Sequence, residues 1–131
     1  MTHASGTFEV KLAPQAPDAE ADTTLGRLSI DKQFHGDLEG ASRGQMLTAG
    51  TDVEGSAGYV AMERVSGTLH GRRGTFALQH SGTMTRGAPS LAIRVVPDSG
   101  TGELAGLSGS MSITIVEGKH SYDFEYALAG A

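Results

Sequence analysis

The sequence predicts an all-β fold, an eight-stranded antiparallel β-barrel laid out mostly as a meander. Three observations predict it. Eight short segments alternate apolar and polar residues between Gly, Asp or Ser punctuation, with no long helical period between them. Glycine is abundant at 19 residues against 4 prolines and shows no G-X-Y period, which assigns it to turns, bulges and close packing. The 131 residues suit one domain with one core, and closing a meander into a barrel removes its exposed edges. A two-sheet sandwich is the alternative layout.

The first strand is GTFEVKL, Gly6 to Leu12. It runs into LAPQAPDAEADTT, residues 12–24, which holds acids and prolines and reads as a loop whose Ala-rich end has room for a helical turn. GRLSIDKQFH, residues 26–35, is the second strand: Leu28, Ile30 and Phe34 mark its apolar face, and Lys32 shares that face by parity. A three-residue turn then aligns Leu38 and Met46 with the same face, and GQMLTA, residues 44–49, is the third strand.

GYVAMERVSGTL and GTFALQHSGTM, residues 58–69 and 74–84, form the central hairpin. A two-residue Gly-X turn at Gly71 and Arg72 sets Val65 opposite Leu78 and Glu63 opposite His80. A slip by two changes the partners and keeps the parity. One face carries Tyr59, Ala61, Glu63, Val65, Leu69, Phe76, Leu78, His80 and Met84, the other Arg64, Ser66, Thr68, Thr75, Gln79, Ser81 and Thr83, so the first faces inward.

SLAIRVV, residues 90–96, is the sixth strand, and the Gly-rich VVPDSGTGELAGLSGS after it is a loop over one barrel end. GSMSITIVEG and HSYDFEYAL close the chain as a hairpin around Gly118 and Lys119, with Met111, Ile113 and Ile115 on the face of Tyr122, Phe124 and Tyr126. Tyr hydroxyls on such a face need partners, either one another and Glu63 or a ligand.

Net charge is -5 and the ten Lys and Arg are scattered, which argues against a nucleic-acid partner. The absence of cysteine excludes a disulfide framework, a thiolate metal site and a Cys nucleophile. The opening MTHASGTFEV lacks the regions of a signal peptide, and no apolar run approaches the ~18 residues of a spanning helix, so a cytoplasmic protein with no membrane partner is expected.

Together GYVAMERVSGTLHGRRGTFALQHSGTM, VVPDSGTGELAGLSGSM and KQFHGDLEGASRGQML resemble an uncharacterised bacterial family, a domain of unknown function with an allene-oxide-cyclase-like barrel. The resemblance spans nearly the whole chain. It implies an eight-stranded antiparallel barrel of the type shared with allene oxide cyclases, dirigent proteins and bacterial polyketide cyclases, assembled as a homodimer or homotrimer. SGTGELAGLSG, Ser99 to Gly109, resembles the Gly-rich segment before a late strand of those barrels, where its role is structural. The sulfur-containing part of an allene oxide cyclase pocket has no counterpart in a chain without cysteine.

Glu63 and His80 are the candidate catalytic pair, because a carboxylate beside an imidazole in a dry pocket fixes its tautomer and tunes it for proton transfer. The same pair can serve as a buried, mutually satisfied contact that holds strand register. Lys32 either pairs with Glu63, meets an anionic ligand group, or passes its ammonium out at the barrel mouth. Phe34, Tyr59, Phe76, Tyr122, Phe124 and Tyr126 complete the candidate ligand-binding set. No metal and no cofactor is expected: there is no H-x-H or H-E-x-x-H, and His35, His70 and His120 adjoin turns and read as solvated. No G-x-S-x-G elbow is present either, and Ser81 points away from the face of His80.

Three functions fit these residues: a cofactor-free cyclase or isomerase acting on a hydrophobic metabolite in the lumen, a small-molecule carrier, and an oligomeric barrel with a filled core.

Overall fold

Eight strands follow one another around a closed barrel: β1 (Thr2–Pro14), β2 (Leu25–Gly36), β3 (Leu38–Gly50), β4 (Ala57–Leu69), β5 (Arg72–Thr85), β6 (Ala88–Val95), β7 (Leu107–Val116) and β8 (Lys119–Leu128). Each pairs antiparallel with the next, and β8 closes on β1 through partners from Thr2 and Tyr126 to Phe8 and His120. The chain is described here by a computed structural model covering residues 1–15 and 25–129. Most of the expected loop at 12–24 lies outside the described residues; its first three residues extend β1 to Pro14. No helix among the described residues is long and apolar enough to cross a membrane.

Three tight hairpins follow one rule. Their two-residue turns are His70-Gly71, Arg86-Gly87 and Glu117-Gly118, and both residues of each turn have positive φ, from 48° to 90°. This is the type I′ pattern, which matches the strand twist and puts glycine second. The Gly-X reading placed glycine first and so misjudged two registers by two residues. Glu63 stands opposite Leu78, and His80 opposite Ala61. Because the error is even, the inward face survives over most of its length: Ala61, Glu63, Val65, Leu69, Phe76, Leu78 and His80 are all buried, whereas Tyr59 is half-buried and Met84, near the end of β5, is exposed.

The third strand is longer than GQMLTA suggests. Its first half, LEGAS, escapes a composition-based reading because glycine is poor in strands. Here glycine is required by close approach: a Cβ on Gly40 would lie 2.3 Å from the Ser66 carbonyl oxygen, and one on Gly44 2.1 Å from that of Met62. The turn before it behaves as expected, with Leu28 opposite Met46, Lys32 opposite Ser42 and Leu38 buried.

The barrel is filled in one half and open in the other. Leu38, Val65, Leu69, Phe76, Leu78, Phe124 and Leu104 are fully buried in one cluster at the closed end. Phe76 and Phe124 stack with ring centroids 5.9 Å apart, and Phe124 continues the stack onto Tyr126 at 5.4 Å. The segment between β6 and β7 seals this end. Val96 and Thr101 bond back to Ala77 and Thr75 of β5, and the 3-10 turn Gly102–Leu104 sets Leu104 into the core. As a result β6 and β7 pair at two positions, Ile93 with Met111 and Arg94 with Ser110, and the wall is thinnest between them.

Candidate functional site

Lys32, Glu63 and His80 meet in one cluster at mid-barrel. Strands in a closed barrel are tilted, so residues at one height come from staggered positions on successive strands. Lys32 and Ser42 face each other across β2 and β3, Glu63 is diagonal to Ser42, and His80 is diagonal to Glu63. Diagonal neighbours lie within reach of long side chains. Oε1 of Glu63 accepts from Lys32 Nζ at 2.9 Å and from His80 Nε2 at 2.5 Å, while Oε2 accepts from Ser42 Oγ at 2.5 Å.

The four residues are 2–6 % exposed, so the electrostatics are those of a protein interior. Burial pushes the Glu63 carboxyl up, but the His80 hydrogen bond, the Lys32 charge and the Ser42 hydrogen bond outweigh it and bring the group to about 2. Glu63 is therefore a carboxylate at any physiological pH and can only accept. His80 must donate from Nε2, and its neutral tautomer then carries a lone pair on Nδ1.

No buried side-chain nitrogen or oxygen among the described residues lacks a partner. Nδ1 of His80 forms no hydrogen bond among them, so it is the ring nitrogen that reaches accessible space. That space is a pocket of about 180 Å³ in the open half of the lumen, and every strand contributes to its lining. Lys32 and His80 form the polar floor. Val10, Ile30, Met46 and Ile113 supply apolar wall, the rings of Phe8 and His120 pack at a tilt of 54° with centroids 5.1 Å apart on one side, and Leu12, Leu91 and Ile115 form an exposed apolar rim. The Lys32 ammonium also lies over the Phe8 and Phe34 rings, 5.1 and 5.8 Å from their centroids.

Tyr59 lines the same pocket, its ring lying against Gly82, where an added Cβ would come within 2.4 Å of it. Burial, and then the charge of Glu63, push its phenol up, so it keeps its proton at neutral pH. The other expected ligand-binding residues stand elsewhere. Phe34, Phe76 and Phe124 are fully buried below the pocket floor. The Tyr122 hydroxyl accepts from the Leu38 N–H at 2.9 Å and donates to the carbonyl of His35 at 3.0 Å or Leu38 at 3.2 Å, tying the β2–β3 corner. Tyr126 is bonded to Nδ1 of His70. Neither phenol reaches Glu63 or the pocket, because both belong to the closed end of the lumen.

Sequence reasoning missed Ser42, Phe8 and His120. Ser42 has the right parity but sits in the Gly-rich half of β3 that was not read as strand. His120 adjoins a turn, as expected, yet half-buried rather than solvated, because β8 starts at the pocket and tucks the ring over Phe8. His70 is likewise held by Tyr126. Among the described residues no three His, Asp or Glu side chains converge as metal ligands.

Comparison with known proteins gives a family and a fold. A protein from Shewanella oneidensis MR-1, solved by crystallography and described as of unknown function from the DUF3224 family, is 50% identical to this chain. The match covers 100% of this chain and 99% of that one, with a TM-score of 0.94. No curated protein gives a significant match. The profile described as protein of unknown function (DUF3224) matches residues 4–126, and the chain belongs to that family.

Proposed function

We propose that the protein binds a hydrophobic small molecule in the open half of its lumen and acts on it as a cofactor-free isomerase or cyclase, with His80 as the proton carrier. The observation that supports this reading is the orientation of one ring. Glu63 fixes Nε2–H of His80, and Nδ1, on the opposite side of the ring, is left toward the pocket, whose floor also holds the ammonium that shares the same carboxylate oxygen.

The chemistry that fits is proton transfer beside a carbonyl. Nδ1 takes a proton from the carbon next to the carbonyl, the C–H electron pair moves into an enolate, and the oxygen that gains charge is stabilised by the remaining N–H groups of Lys32. Return of the proton to another carbon of the conjugated system completes an isomerisation without any change of oxidation state. Alternatively the enolate carbon attacks a second carbonyl of the same molecule, forming a ring bond, and the new alkoxide takes the proton back from Nδ1. Glu63 orients the ring and stabilises its protonated form; it is a positioning residue.

Exchange of α-hydrogens for deuterium in heavy water tests the reading with a panel of small cyclic and aryl ketones. The unaltered protein is expected to accelerate exchange of at least one ketone, and His80→Gln to abolish the acceleration while the barrel stays folded by circular dichroism. Binding of ketones with no accelerated exchange would leave the carrier function in place of the enzyme.

A further inference from the structure

The floor and walls of the pocket together select a chemical class of ligand, an inference that rests on the pocket reading just given. About 180 Å³ is below the ~300 Å³ at which drug-sized pockets begin and close to the ~150 Å³ apolar cavity that holds one benzene ring. The interior therefore takes one ring. Its outer end opens between Leu12, Leu91 and Ile115, which are 46, 44 and 61 % exposed, so an apolar tail can continue outward along them.

The inner end is polar in a particular pattern. With Nε2–H held by Glu63, the neutral form of the His80 ring offers an acceptor at Nδ1, on the far side of the ring from the Lys32 ammonium that bonds the same carboxylate oxygen. A hydroxyl matches it by donating to Nδ1. A carboxylate does not: it would set a second negative charge beside Glu63, whose own charge already matches Lys32, and would face the Nδ1 lone pair. A pure hydrocarbon would leave Nδ1 without a partner in a dry site.

We propose that the pocket takes a neutral, single-ring molecule with a phenol or enol hydroxyl at its inner end and a short apolar tail at its outer end. Nδ1 of His80 accepts from the hydroxyl, and the ring stacks within reach of Phe8, Tyr59 and Ile113.

Titration of the full-length protein at pH 8 with 4-propylphenol, propylbenzene and 4-propylbenzoate, followed by calorimetry or NMR, tests this with three probes of one shape. The phenol is expected to bind at least tenfold more tightly than either of the others. In His80→Phe, phenol affinity is expected to fall to the level of propylbenzene. The three-probe comparison uses the unaltered chain and stands even if a variant fails to fold. Benzoate binding as tightly as the phenol, or propylbenzene equalling it, overturns the proposed class while leaving the pocket intact. Failure of all three probes to bind overturns the pocket reading, and the class with it.

Discussion

Nε2 of His80 lies 2.5 Å from Oε1 of Glu63 although the two residues are diagonal, not opposite, across β4 and β5. The stagger matters, because it lets Lys32 reach the same oxygen from β2 and Ser42 the other oxygen from β3. One carboxylate thereby ties four strands.

Removal of that charge should cost more than removal of any one donor. Glu63→Gln leaves the Lys32 ammonium buried without a counter-charge and is expected to destabilise the fold by about 3 kcal/mol in urea unfolding. Lys32→Met leaves Glu63 with two hydrogen bonds and should cost about half as much. Equal effects would mean that the carboxylate is not the centre of the network.

Acid should act through the same group. The Glu63 carboxyl is depressed from 4.5 to about 2 on folding, so its contribution is complete above about pH 4.5 and is lost as pH falls through 2. The size is about 3 kcal/mol from the linkage between proton binding and folding. Unfolding free energies measured from pH 5 to 2 should fall by that amount in the unaltered protein and by much less in Glu63→Gln.

The hairpin turns predict the sign of a substitution. Glu117 has φ 52° in a type I′ turn, a conformation that Asn adopts more readily than Glu. Glu117→Asn should stabilise the protein by roughly 0.5 kcal/mol. Under a Gly118-Lys119 turn, residue 117 would be a strand position and the same substitution would destabilise, so thermal denaturation separates the two registers.

The pocket can be blocked without disturbing the core. Leu91 is 44 % exposed at the rim, beside the thin β6–β7 seam. Leu91→Trp is expected to change stability by less than about 0.5 kcal/mol, as surface substitutions usually do, and to lower 4-propylphenol affinity at least tenfold.

Parity made most of this architecture legible. Alternation in β4 and β5 put Glu63 and His80 on one inward face, and no even register error can undo that. What alternation cannot fix is height along the barrel axis, which depends on strand tilt and on which residue of each turn takes positive φ. Phe34, Phe76, Tyr122, Phe124 and Tyr126 were therefore correctly assigned inward but could not be assigned to the closed half. Phe8, Met46 and Ile113 had the right parity for the pocket, yet nothing local distinguishes a lumen position near the mouth from one in the core. Ser42 was hidden because glycines demanded by close strand approach made its segment look like a loop.

The state of the His80 ring tests the account most directly. In protein labelled with ¹⁵N at histidine, the account predicts a protonated Nε2 and a bare Nδ1 at pH 8, with the Nδ1 resonance alone moving strongly when 4-propylphenol is added. A proton on Nδ1 with Nε2 bare, or ring resonances indifferent to the ligand, would contradict it.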